Sequence, residues 1–96
     1  MDMKAFQDSL KADNPPYVTG PLLALWHAAK GDWHRAHEIV QSDDSEDAAW
    51  VHAHLHRVEG DHANAGYWYR RAGRSASEDS VAEEAQQIAA GLFIPR

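Results

Sequence analysis

The sequence predicts an all-α fold: antiparallel helical hairpins stacked as a short array with capping helices, within one domain over 1–96. Three observations carry that reading. First, the pattern Gly-Asp-x-x-x-Ala occurs twice, at Gly31–Ala36 and Gly60–Ala65, with the copies 29 residues apart. A period of about 20–50 residues marks stacked repeat architecture. Second, apolar residues recur at three- and four-residue spacing on either side of both turns. Third, no stretch shows the two-residue alternation of a strand.

Each element follows in order. Residues 3–12 form an N-terminal cap helix with Phe6 and Leu10 one turn apart, ended by Asn14-Pro15-Pro16, where proline disfavours helix at the preceding residue. Thr19-Gly20-Pro21 opens the first hairpin, 21–41, with Pro21 suited to a first helical turn. Leu22, Leu25, Trp26 and Ala29 make its first apolar face. Gly31 ends that helix and Asp32 caps the next, whose face is Trp33, Ala36, Ile39 and Val40. The acidic run 42–47 leads into the second hairpin, 46–73, its acids favoured by the positive end of a helix dipole. Val51, Leu55 and Val58 line the outgoing helix. After Gly60-Asp61, Ala65, Trp68, Tyr69 and Ala72 line the return. Ser75 with Glu78 and Ser80 with Glu83 are spaced as capping boxes. A C-terminal cap helix over 78–91 carries the stripe Val81, Ala85, Ile88 and Leu92.

Composition narrows the function classes. The net charge of −6 disfavours binding to nucleic acid, whose phosphates demand a basic face, and to an anionic membrane surface. With no cysteine, disulfides, thiolate catalysis and sulfur-ligated metal sites are excluded. No segment approaches the length of a membrane span, and Met1-Asp2-Met3-Lys4 lacks a signal core, so a cytoplasmic setting is expected. There is no Gly-rich phosphate loop, no Gly-x-Ser-x-Gly elbow and no His-Glu-x-x-His pair.

At its two Gly-Asp turns the chain resembles a pair of tetratricopeptide repeats over residues 20–73. Ala24 and Ala53 match the small crossing position of the first helices, and Ala36 and Ala65 that of the second helices. Tyr69 and Ala72 match the late aromatic and late alanine of the second repeat. The segment Trp68–Ala72 is also similar to the end of a Sel1-like repeat. The period departs from the usual one of about 34 residues, and the closing proline is absent. Asp43 stands where a late alanine belongs, and His27 and His56 where a large aromatic belongs. The resemblance implies a non-catalytic adaptor that binds a protein or peptide. It places Trp50, His54 and Arg57 on the concave side that holds partners, and an aromatic beside an arginine suits a hot spot.

Seven histidines form the alternative. His52 and His56 share a helical face at i, i+4, the minimum geometry for two metal ligands. His34 and His37 share another, beside Glu38. With His27 as the third ligand, the set His27, His52 and His56 would hold zinc or another divalent metal, in a metal-binding protein or a metal-dependent enzyme. The competing reading makes His27 and His56 planar packing groups. His54 lies on a different face from His52 and His56. A histidine-based pH sensor is the third expectation.

Trp26, Trp33 and Trp68 fall on apolar stripes and read as core. Arg70, Arg71 and Arg74 make a basic patch near Arg57 that could grip a carboxylate or phosphate, or is a solvated helix end favoured by the dipole. The apolar tail 92–96 either folds back over the core or docks into a second copy, and a homodimer would relieve the small core.

Overall fold

The structure, a computed structural model, describes residues 1–94. Among them are six helices and no strand: α1 (Met3–Ser9), α2 (Gly20–Ala29), α3 (Trp33–Gln41), α4 (Glu46–Val58), α5 (His62–Ala72) and α6 (Val81–Leu92). Helices α2 and α3 form one hairpin and α4 and α5 the next, joined face to face by packing of α3 and α2 against α4. No helix among the described residues is long and apolar enough to cross a membrane.

The two Gly-Asp turns are the same structure. Gly31 and Gly60 take φ +88° and +84°, values a Cβ-bearing residue adopts only with strain. The aspartates that follow turn their N–H groups back onto His27 O and His56 O, each at 2.9 Å. The Asp32 carboxylate then accepts from Arg35 N, and the Asp61 carboxylate from Asn64 N, both at 3.1 Å. Each cap satisfies an amide that the first helical turn leaves without a partner. The small residues Ala24, Ala36, Ala53 and Ala65 are all buried, letting the hairpin helices approach closely.

Helix α4 lies at the centre. Every residue from Ala48 to His56 is buried, as expected of a helix with neighbours on all sides. It packs on α2, α3, α5 and α6. Its own Val51 and Leu55 join Leu25, Trp26, Val40, Tyr69 and Ile88 in the core. The expected stripe ends a turn early: Val58 is 47% exposed where α4 leaves the core, and Val81 is exposed at the start of α6.

The caps are shorter than the sequence suggests. α1 stops at Ser9, and residues 10–12 continue only as tightened turns to carbonyls three residues back, before the Asn14-Pro15 break. Residues 74–79 are not helical, so Ser75 caps nothing. The Ser80 hydroxyl does cap α6, accepting from Glu83 N at 3.1 Å. Trp26 is fully in the core, whereas Trp33 and Trp68 are half-buried at its edge. Phe93 folds back onto Phe6, edge to face at 6.0 Å between ring centres, and Ile94 is exposed. Pro95 and Arg96 lie outside the described residues.

Candidate binding surface and the histidine cluster beneath it

Three neighbouring regions gather the polar chemistry of the second hairpin. The first is the seat of α6, and it takes up the trio Trp50, His54 and Arg57. His54 is 3% exposed and Glu84, on α6, is 2% exposed. His54 Nδ1 donates to Glu84 Oε1 at 2.7 Å, Arg57 Nη1 donates to the same oxygen at 3.2 Å, and the Tyr69 hydroxyl donates to Oε2. Burial alone would push the Glu84 carboxyl up, but the hydrogen bonds from His54, Tyr69 and Arg57 outweigh it and hold it below its ordinary value. The Tyr69 phenol is pushed up by burial and by that carboxylate. Arg57 Nη2 also donates to Asp79 O. Trp50 lies between the Arg74 guanidinium, 3.5 Å from its ring centre, and Gly91 of α6, where a Cβ would meet the indole at 2.8 Å. The face that the trio Trp50, His54 and Arg57 lines, expected to hold a partner, is thus covered by the chain's own last helix and the 73–80 loop.

The second region is a histidine cluster between α3 and α4. His52 and His56 come together as their spacing requires, with rings stacked 4.9 Å apart. The third ring is His37 on α3, not His27. His37 Nε2 lies 3.1 Å from His52 Nε2, and one nitrogen from each of the three lies within 4.8 Å of the others. His27 instead meets the edge of Trp26 at 5.2 Å. Two tryptophans close the cluster: Trp33 stacks on His37 at 4.8 Å and Trp68 on His52 at 3.8 Å. Trp33 is fixed by its indole N–H, which donates to Leu55 O at 2.7 Å. His56 Nδ1 is 2.6 Å from Glu59 Oε1 and donates its proton there, leaving Nε2 as the ring's free lone pair. Burial, then the neighbouring rings His37 and His56, lowers the His52 pKa to about 4. Burial and His56 also lower that of His37. His37 and His52 are therefore neutral imidazoles near pH 7. His52 Nδ1 is buried and has no hydrogen-bond partner among the described residues.

The third region lies on the outer side of Trp68. Tyr67, Arg70 and Arg71 project from α5 at i, i+3, i+4, and Tyr67 is 44% exposed. Arg71 sits over both Tyr67 and Trp68, at 5.9 and 5.5 Å from the ring centres, and donates to the Tyr67 hydroxyl at 3.0 Å. Among the described residues Lys4, Arg35 and Arg57 make ion pairs with carboxylates, whereas Arg70 and Arg71 make none. Arg74, a turn further on, shares a cleft with Glu46 and Asp47.

Compared with known proteins, the chain matches no protein-family profile, no curated protein and no solved structure. The sequence reading found His52, His56 and the arginine patch. It missed His37 as the third ring by looking for a partner at the equivalent position of the other hairpin. The available signal was chain order: α3 is the helix immediately before α4, and its His37 lies on the same helical face as His34.

Proposed function

We propose that the chain is a small, non-catalytic, tetratricopeptide-like binding module of the cytosol, and that its outer α5 face holds an acidic segment of a partner protein. The observation that carries this reading is the outward stripe Tyr67, Arg70 and Arg71, two arginines that pair with no carboxylate among the described residues, in a chain of net charge −6. Tyrosine, tryptophan and arginine are the residues that dominate binding hot spots. Arg71 is held over two rings and by the Tyr67 hydroxyl, which lowers the cost of ordering it while leaving guanidinium N–H groups for contact with a carboxylate. The concave face serves a different purpose here, because α6 fills it.

The test is fluorescence anisotropy with a labelled hexaglutamate peptide. The expected result is saturable binding that weakens as salt rises and falls at least tenfold in the Arg70→Glu/Arg71→Glu variant. Equal binding by wild type and variant would sink the assignment. Sedimentation of the free chain at several concentrations separates this mode from a homodimer built on the same face.

A further inference from the structure

We propose that His37, His52 and His56 form a binding site for one divalent transition-metal ion of the zinc class, clamped between α3 and α4. The inference does not depend on the surface reading above.

The donor set fits the ion. Zinc takes imidazole nitrogens at about 2.0–2.1 Å in a tetrahedron, which puts neighbouring ligand atoms about 3.3 Å apart. His37 Nε2 and His52 Nε2 already stand at 3.1 Å, and all three donor atoms lie within 4.8 Å of one another, so closure needs a movement of about an ångström. Three imidazoles without thiolate suit Zn²⁺, Co²⁺, Ni²⁺ or Cu²⁺ and disfavour Mg²⁺ and Ca²⁺, which require oxygen ligands. The set leaves the fourth corner for water or an added ligand.

The supporting shell fits as well. A metal-bound histidine characteristically donates its other ring N–H to a carboxylate or carbonyl, which fixes the tautomer and aims the lone pair. His56 does this with Glu59. Stacking on Trp33 and Trp68 holds the planes of His37 and His52. His52 lacks a partner for Nδ1 among the described residues, so its orientation rests on stacking with Trp68 and His56 and on the Nε2 contact with His37.

The cluster is also poorly explained as packing. Buried polar groups in native proteins are nearly always hydrogen-bonded. Here two facing Nε2 atoms can share only one proton, and a third basic nitrogen stands beside them. An ion accepts all three lone pairs at once. Binding moves the proton shared by His37 and His52 onto the Nδ1 of the ring that carries it, so both rings stay neutral, both offer an Nε2 lone pair, and the charge balance closes without a further group.

The experiment uses the full chain, free of any tag, stripped with chelator and titrated separately with ZnCl₂ and CoCl₂. One equivalent is expected to bind with a micromolar or tighter Kd and to raise the melting midpoint. Trp33 and Trp68 should change their fluorescence because both stack on ligands, and Co²⁺ should give the intense visible bands of a four-coordinate site. His52→Leu and His37→Gln should each weaken binding at least 100-fold, and Glu59→Gln by about 10–100-fold. His27→Gln and the double variant His34→Gln/His62→Gln should bind as the wild type does. His37 is only half-buried, so His37→Gln keeps the test decisive if His52→Leu fails to fold. Absence of stoichiometric binding overturns the proposal. So does binding that survives His37→Gln, or binding lost with His34 and His62, since either result places the ion on surface histidines.

Discussion

The two hairpins share a turn and differ in what surrounds it. Residue for residue at the 29-residue offset, His27 corresponds to His56, Leu23 to His52 and Lys30 to Glu59. In the first hairpin the residue three beyond the histidine is a lysine, and its ammonium crosses to Leu10 O and Ala12 O at 2.8 and 2.9 Å, tying down the N-terminal segment. In the second it is a glutamate, which fixes the tautomer of His56. One backbone motif therefore supports an anchor in the first copy and an oriented imidazole in the second. The shared backbone sets the fold, and the side chains at three positions decide which copy carries polar chemistry.

The largest expected effect breaks the second hairpin from its cap. Glu84 has no counterpart in the first hairpin, and Glu84→Ala would leave His54, Arg57 and Tyr69 facing an empty buried space. Removing one partner of a buried charged network costs about 3–5 kcal/mol, a large part of a small domain's stability. Glu84→Gln keeps the shape and loses the charge, so its cost should be smaller. Urea unfolding followed by circular dichroism checks both. Equal stability of wild type and Glu84→Ala would mean that α6 is not held through this carboxylate.

A second, pH-dependent effect sets the histidines of the two hairpins apart. The His52 pKa is lowered from 6.5 to about 4 in the folded chain, and that of His37 is lowered as well. A depressed base is neutral in both states above pH 6.5, so its contribution is complete there. As pH falls from 6.5 toward 4, the unfolded chain takes a proton that the folded chain refuses, and stability drops by up to about 1.4 kcal/mol per unit for each such group. The charged neighbours that bear on this window are Glu59 on His56 and, lower in pH, Glu84, whose depressed pKa also removes stability as acid is added. His52→Leu copies Leu23 of the first hairpin. In metal-free protein it should unfold within about 1 kcal/mol of wild type at pH 7.5, since it removes one hydrogen bond and one unpartnered nitrogen. It should lose much less stability than wild type by pH 5. Parallel curves for the two proteins would show that His52 is solvated rather than buried.

How much of this was legible in sequence follows from the same comparison. The turns were readable because glycine and aspartate act locally: a positive φ and an N-cap need no distant partner. The small residues Ala24, Ala36, Ala53 and Ala65 were readable because the offset aligns them. The seat of α6 was not, because Trp50, His54 and Arg57 read as a polar face until Glu84 arrives from 27 residues further along. A buried carboxylate in a helix rich in Glu and Gln carries no local mark. His37 was visible as a residue, but its pairing depends on how α3 crosses α4, which the offset between copies does not encode. Val58 shows the limit of periodicity, since it keeps the apolar rhythm after the helix has left the core.

The equivalence of the turns can be tested directly. Gly31 and Gly60 have nearly equal φ, and nothing lies within 4 Å of a Cβ built on either. Replacing either by alanine should therefore cost only the backbone strain of a left-handed residue, about 1–2 kcal/mol, and the two costs should agree within about 0.5 kcal/mol. A clear inequality would mean that one turn relaxes where the other is held by its surroundings.

The smallest effect sharpens the other side of the comparison. Lys30→Gln removes the two contacts to Leu10 O and Ala12 O, both solvent-exposed. Water replaces exposed hydrogen bonds, so the loss should be below about 1 kcal/mol. The consequence should be local: amide exchange over residues 3–12 should quicken, while the amides of α4 and α5 keep their protection, because those helices are held by the central core. Lys30→Glu gives the first hairpin the residue of the second, and adds an acidic group where the segment's carbonyls converge. It should free the N-terminal segment further without orienting His27 as Glu59 orients His56, because the His27 ring is already committed to the edge of Trp26. Faster exchange in α4 in either variant would show that the N-terminal segment and the central helix open as one unit, and that the lysine anchor supports the core rather than the segment alone.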